Sequence, residues 1–132
     1  MSEIKVDTLT GKTTSNDITV TVGATATQSL EQGLAKAWVN FNGTGTIATR
    51  DSLNVSGLVD GGGGIYAYNI TNAFGNTNVS CQGTSHAVAL AWMFSPQTFA
   101  DTTSQVRFYV VTSSGGAGDA SQCDGLTNGD LA

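Results

Sequence analysis

The sequence predicts an all-β protein, a jelly-roll-like β-sandwich knob preceded by an extended N-terminal arm. Three observations carry this. Of 132 residues, 17 are glycine, one is proline (Pro96) and only 11% are charged, where an average soluble chain has about a quarter. Thr and Val, which fit a pleated surface, and Gly and Asn, which reach positive φ in tight turns, are abundant. Period-two runs recur every 8–12 residues or so with turn signals between them, the pattern of a sandwich. The expected division is an arm over residues 1–32 and a knob over 33–132, a size that can bury a real core.

In the arm, Ile4, Val6 and Leu9, then Ile18, Val20 and Val22, are sparse apolar points in alternation. Two short strands cannot cover their own apolar faces, so the arm calls for a partner, either the rest of the chain or a second copy. Gly11-Lys12-Thr13 matches the second half of a phosphate-binding loop. The first glycine of that motif would stand at Val6, and a strand rather than a helix follows, so the stretch reads as a polar turn. Gln28 to Leu34 allows one helical turn, limited by Gly33.

The knob opens with Ala35 to Asn42, where Ala37, Val39 and Phe41 share one face and Lys36, Trp38, Asn40 and Asn42 the other. Gly43-Thr44-Gly45 is a turn, and Thr46–Thr49 and Leu53–Val59 are strands. Asp60-Gly61-Gly62-Gly63-Gly64 followed by Ile65 to Ile70 is the clearest hairpin, a glycine-rich reversal between period-two runs. Further strands are expected over Asn78–Gln82, His86–Phe94 and Ser104–Thr112. The second of these is apolar enough to run through the core between two layers, although its length also fits a buried helix. Asp119 to Gly125 closes the sheet.

The formal net charge is −5, with Lys5, Lys12, Lys36, Arg50 and Arg107 as the basic residues. They form no cluster that could neutralise phosphates, which excludes nucleic acid as a partner. No apolar run reaches the roughly 18 residues a membrane span requires, and no secretory leader is present, so a cytoplasmic product without membrane insertion is expected. Cys81 and Cys123 lack the spacing of a metal knuckle or redox pair. They are expected as free, buried thiols, with a disulfide as the alternative.

His86 is the single histidine and starts an apolar run, and no Gly-x-Ser-x-Gly elbow presents a nucleophile. The acidic residues stand in turn contexts, where they bond their own backbone, rather than as a glycosidase pair. Asp124 to Asp130 lacks the third-position ligand of a calcium loop, where Leu126 sits, and its closing glutamate. The sequence therefore predicts no catalytic residue, metal or cofactor, and a protein that is not an enzyme. Trp38, Trp92, Tyr66, Tyr68 and Tyr109 could stack on sugar rings while Asn and Thr bond hydroxyls. They fit a core equally well, and Trp92 is assigned there.

Three stretches resemble the tail-fibre and virion-fibre proteins of tailed bacteriophages of marine bacteria. They are Ser2 to Thr14, Leu30 to Phe41, and the run from Arg50-Asp51-Ser52-Leu53 to Ile70; the closing Gly129-Asp130-Leu131-Ala132 is similar as well. The resemblance implies a homotrimer with intertwined N-terminal arms that join other virion proteins. It also implies knobs that face a host-surface glycan or protein, and a location on the virion after assembly in the host cytoplasm. It supplies no catalytic residue. A capsid or tail decoration protein without a receptor is the first alternative, and a surface-polysaccharide hydrolase the second. Because loops vary while strands hold the core, receptor contacts are expected on turns at one end of the knob. The candidates are Asp60, Gly61, Gly62, Gly63 and Gly64, then Gly83, Thr84 and Ser85, then Ser113, Ser114, Gly115 and Gly116. Tyr66 and Tyr68 are the neighbouring aromatic platforms, with burial in the core as their alternative.

Overall fold

The structure, a computed structural model, describes residues 3–13, 18–86, 92–94, 99–112 and 115–132. The protein is mostly strand with a single helical turn among these residues. It divides into two compact units, Met1–Leu34 and Ala35–Ala132.

In the first unit, β1 (Thr19–Val22) pairs antiparallel with β2 (Ala26–Ser29). The reversal between them places Gly23 at a φ of 75°. One helical turn, α1 (Leu30–Gly33), follows; the Ser29 hydroxyl caps it by accepting from the Gln32 amide, which satisfies one of the orphan donors of a helix start. The expected turn of helix is thus present. The strand expected around Ile4, Val6 and Leu9 is not: these residues pair with no strand among the described residues. Their side chains are 86%, 57% and 63% exposed.

The second unit contains β3 (Ala37–Asn42), β4 (Ala48–Leu53), β5 (Val55–Gly62), β6 (Ile65–Ile70), β7 (Ser80–His86), β8 (Trp92–Phe94), β9 (Phe99–Thr102), β10 (Gln105–Thr112) and β11 (Gln122–Asn128). Among the described residues they form two antiparallel sheets. One has the order β4-β3-β11-β7, the other β5-β6-β10-β8 with β9 also on β10. The chain changes sheet between β4 and β5, β6 and β7, β7 and β8, and β10 and β11. β11 thereby lies between β3 and β7, and β10 between β6 and β8.

The first change of sheet is made by Asn54, which adopts a φ of 58°, a region asparagine tolerates better than most residues. Its Nδ2 donates to the carbonyls of Lys36 and Asn72, and its Oδ1 accepts from the Asn72 amide. One side chain thus bonds backbone that would otherwise go unpaired at the crossing. The strands expected at Thr46–Thr49 and Leu53–Val59 are instead Ala48–Leu53 and Val55–Gly62, with the boundary at Asn54. β9 was not foreseen, and the middle of the long apolar run at residues 87–91 lies outside the described residues.

The inward faces of the two sheets share one core. Ala37, Val39 and Phe41 from β3 are at most 1% exposed, as their alternation predicts. They join Tyr66, Tyr68 and Ile70 of β6, Val106, Phe108 and Val110 of β10, and Cys123 of β11. Phe41 meets Tyr66 edge-on with ring centroids 5.3 Å apart and Phe108 at 5.6 Å, arrangements aromatic quadrupoles favour. Burying these side chains is the main driving force of the unit, at about 1.5–3 kcal/mol for each large apolar group. Gly125 makes room for the cluster: a Cβ there would stand 3.1 Å from the Tyr68 ring and 3.5 Å from Val39.

Candidate functional site

At one end of the second unit, three chain segments converge on Asp119. The β5–β6 reversal is fully left-handed, with φ of 82°, 53° and 77° at Gly62, Gly63 and Gly64. Asp60 Oδ1 accepts from the Gly62 amide and closes the turn locally, the role foreseen for turn aspartates. Asp119 Oδ1 accepts from the Gly64 amide at 2.8 Å and from the Tyr66 hydroxyl at 2.9 Å. The same hydroxyl lies 2.6 Å from the Gly43 carbonyl, so its one proton is shared between two acceptors. Gly43 in turn donates to the Ala120 carbonyl, and Gly118 to Val110. The turn at 43–45, the reversal at 60–64 and the segment 115–120 therefore form one loop cluster. Burial foremost, and then the Asp119 carboxylate, raise the pKa of Tyr66, which keeps the phenol a donor.

Of the expected receptor residues, Asp60, Gly61, Gly62, Gly63, Gly64, Gly115 and Gly116 belong to this end. Ser113 and Ser114 lie outside the described residues. Gly83, Thr84 and Ser85 are not a turn. They are inside β7, paired with Gly125, Asp124 and Cys123; glycine and small polar residues signalled a loop, while pairing with β11 makes them strand. The Ser85 hydroxyl is buried without a hydrogen-bond partner.

Tyr66 and Tyr68 are each 1% exposed, so neither is a surface platform, and the core alternative holds. The reason lies in β6, where Ile65, Ala67 and Asn69 take the outward face and the tyrosines share the inward face with Ile70. Both phenols find buried partners, Tyr68 with the Thr127 hydroxyl. The aromatic beside the glycine reversal on the outward face is Tyr109, which pairs with Ile65 across the strands. With Val59, Gly61, Ala67 and Arg107 it borders a groove of about 240 Å³ that begins at the loop cluster.

A second groove, of about 350 Å³, lies on the outward face of the four-stranded sheet. Trp38, Gln82, Thr84, Asp124 and Leu126 border it. The Asp124 carboxylate is held from three sides: Oδ1 accepts from Asn40 Nδ2, and Oδ2 from the Thr84 hydroxyl at 3.3 Å and Gln122 Nε2 at 3.2 Å. Sequence reasoning placed Trp38 on the non-core face of its strand but did not connect it with Asp124.

Cys81 and Cys123 are free thiols. Burial, with a smaller push from Asp124, raises Cys123 to about 12, and burial raises Cys81. His86 ends β7 with an exposed side chain. Among the described residues no group of three or more His, Cys, Asp or Glu is placed to hold a metal ion, and no helix is long and apolar enough to cross a membrane. No protein-family model, curated protein or solved structure matches the chain.

Proposed function

We propose that the protein is a non-enzymatic virion protein of a tailed bacteriophage, a trimeric fibre or fibre tip that adheres to the host surface. The observation that carries the reading is the loop cluster around Asp119. It gathers small, polar, mostly exposed segments at one end of the β body and ties them together through Asp119 and the buried Tyr66 hydroxyl, an arrangement suited to recognition. The Tyr109 groove adjoining it supplies an amphipathic aromatic to the same end. The sequence resemblance to fibre proteins supplies the biological setting.

Two further readings belong with this one. The strand order favours a jelly-roll sandwich, because long-range pairs (β3 with β11, β6 with β10) nest inside one another while the chain passes from sheet to sheet. The exposed Ile4, Val6, Leu9, Val20 and Leu34 of the first unit favour an arm whose apolar side chains are covered by two other copies around a three-fold axis. In this assembly the arm joins other virion proteins.

The test is adsorption. Purified protein should bind host cells and compete with infecting particles. Ala117→Arg in the loop cluster and Tyr109→Ser beside it should abolish this while the fold persists. Binding only to virions would identify a decoration protein instead, and release of reducing sugar from host envelope would identify a hydrolase. Sedimentation should give three protomers, and removal of residues 1–29 should weaken that assembly; a monomer at micromolar concentration refutes the trimer.

A further inference from the structure

We infer that the groove on the outward face of the four-stranded sheet binds a neutral sugar ring. The site is separate from the loop cluster, and the inference does not depend on the adhesion reading. Register builds it. Across β3, β11 and β7, Trp38, Leu126 and Gln82 form one cross-strand row, and Asn40, Asp124 and Thr84 the next. Neighbouring strands stand about 4.8 Å apart, and rows two residues apart are separated by about 7 Å, so the two rows make a patch about 10 Å by 7 Å. That is the footprint of a single pyranose.

The rows differ in chemistry as the two aspects of a sugar do. Trp38 and Leu126, both half-buried, offer an apolar surface for the C–H face of the ring, the use to which an amphipathic aromatic is suited. The adjoining row offers acceptors for the ring's hydroxyls. Asp124 is held by Asn40, Thr84 and Gln122 before any ligand arrives. A carboxylate has about four lone-pair sites, so accepting capacity remains beyond those three bonds, and the Thr84 oxygen and the Asn40 amide oxygen add more. A preorganised acceptor loses little freedom on binding.

Charge selects within the class. The six residues of the two rows include one carboxylate and no Lys or Arg. A sugar bearing carboxylate, sulfate or phosphate would be repelled, and a neutral one would not. The volume of about 350 Å³ falls at the lower end of the range for small-molecule sites, about 300–1,000 Å³.

The experiment titrates the full chain with methyl glycosides of glucose, galactose and mannose, and with glucuronate, following tryptophan fluorescence and ligand-observed NMR. Saturable binding of at least one neutral glycoside is expected, with none of glucuronate. Trp38→Leu, which removes the ring, and the near-isosteric Asp124→Asn should each weaken it about tenfold or more, as expected for one lost aromatic or charge-assisted contact, with circular dichroism unchanged. Trp38→Leu should also remove the fluorescence response, which separates it from Trp92. The inference is overturned if no neutral glycoside binds, if glucuronate binds equally, or if both variants bind like the parent. It is also overturned if Trp38 is shielded from acrylamide until dilution dissociates the protein, since a second copy would then occupy the face. Adsorption of the loop-cluster variants is a separate readout, so failure here and failure of the adhesion reading are distinguishable.

Discussion

Replacing Gly64 by alanine tests how the loop cluster is held. At Gly64 two penalties coincide. Its φ of 77° is left-handed, which costs an L-residue with a Cβ about 1–2 kcal/mol. The added Cβ would also stand 2.5 Å from the Gly118 oxygen, 2.6 Å from its nitrogen and 2.7 Å from the Val110 oxygen. These are backbone atoms, and Gly118 and Val110 are bonded to each other, so relief requires moving the 115–120 segment. Overpacking of this kind adds about 1–3 kcal/mol. The expected loss is therefore about 2–5 kcal/mol, a large share of the total stability of a domain. Gly62→Ala and Gly63→Ala are the controls: both positions have positive φ but no heavy atom within 4 Å of a built Cβ, so they should lose only the conformational part. Urea unfolding of the three variants, at unchanged m-value, gives the comparison. If Gly64→Ala is no less stable than Gly63→Ala, the 115–120 segment does not pack on the reversal as described.

Tyr66→Phe removes the proton that Asp119 and Gly43 share and should cost about 1–3 kcal/mol, measured by the same unfolding transition; a smaller change means water or another donor replaces the phenol. Cys123 should resist thiol reagents in the folded protein at mildly alkaline pH and react only as fast as the molecule opens; rapid labelling would contradict its burial. The same thiol makes stability pH-dependent. Its folded pKa is about 12 against an ordinary 9.0, so its contribution is complete below pH 9 and declines from there toward 12 as the unfolded state alone ionises. Cys123→Ala should flatten this decline, leaving the part due to the raised thiol of Cys81 and the raised phenols of Tyr66 and Tyr68. Gly125→Val should destabilise by crowding the Tyr68 ring, and Tyr68→Leu should partly restore it in a double-mutant cycle.

What the sequence could disclose depended on whether chemistry alternated along the chain. Ala37, Val39 and Phe41 were legible as core because Lys36, Asn40 and Asn42 mark the opposite face. In Ile65 to Ile70 both faces carry apolar residues, so period two alone could not turn the tyrosines inward; that choice is made by Phe41, Phe108 and the hydroxyl partners Asp119 and Thr127, all distant in sequence. Gly83-Thr84-Ser85 has the composition of a turn, and becomes strand because β11 supplies a full complement of partners. The Trp38 groove was invisible for a related reason: its members become neighbours only through the register of β3, β11 and β7. The loop cluster was partly readable, since glycines at 61–64 and 115–116 announce reversals, whereas Asp119 as their common anchor follows from packing.

The central place of β11 also has a kinetic meaning. Asn40 and Asp124, bonded neighbours in the folded sheet, are 84 positions apart, and closing such loops must precede the reward of pairing. A topology dominated by such pairs folds on the slow scale of about milliseconds to seconds. Until β11 inserts, β3 and β7 each present a bare edge able to pair with any other incomplete molecule. The refolding yield should therefore fall with protein concentration even where the native state is fully stable. Substitutions that impair β11 would do their damage during this interval, as lost product rather than as a lowered melting temperature.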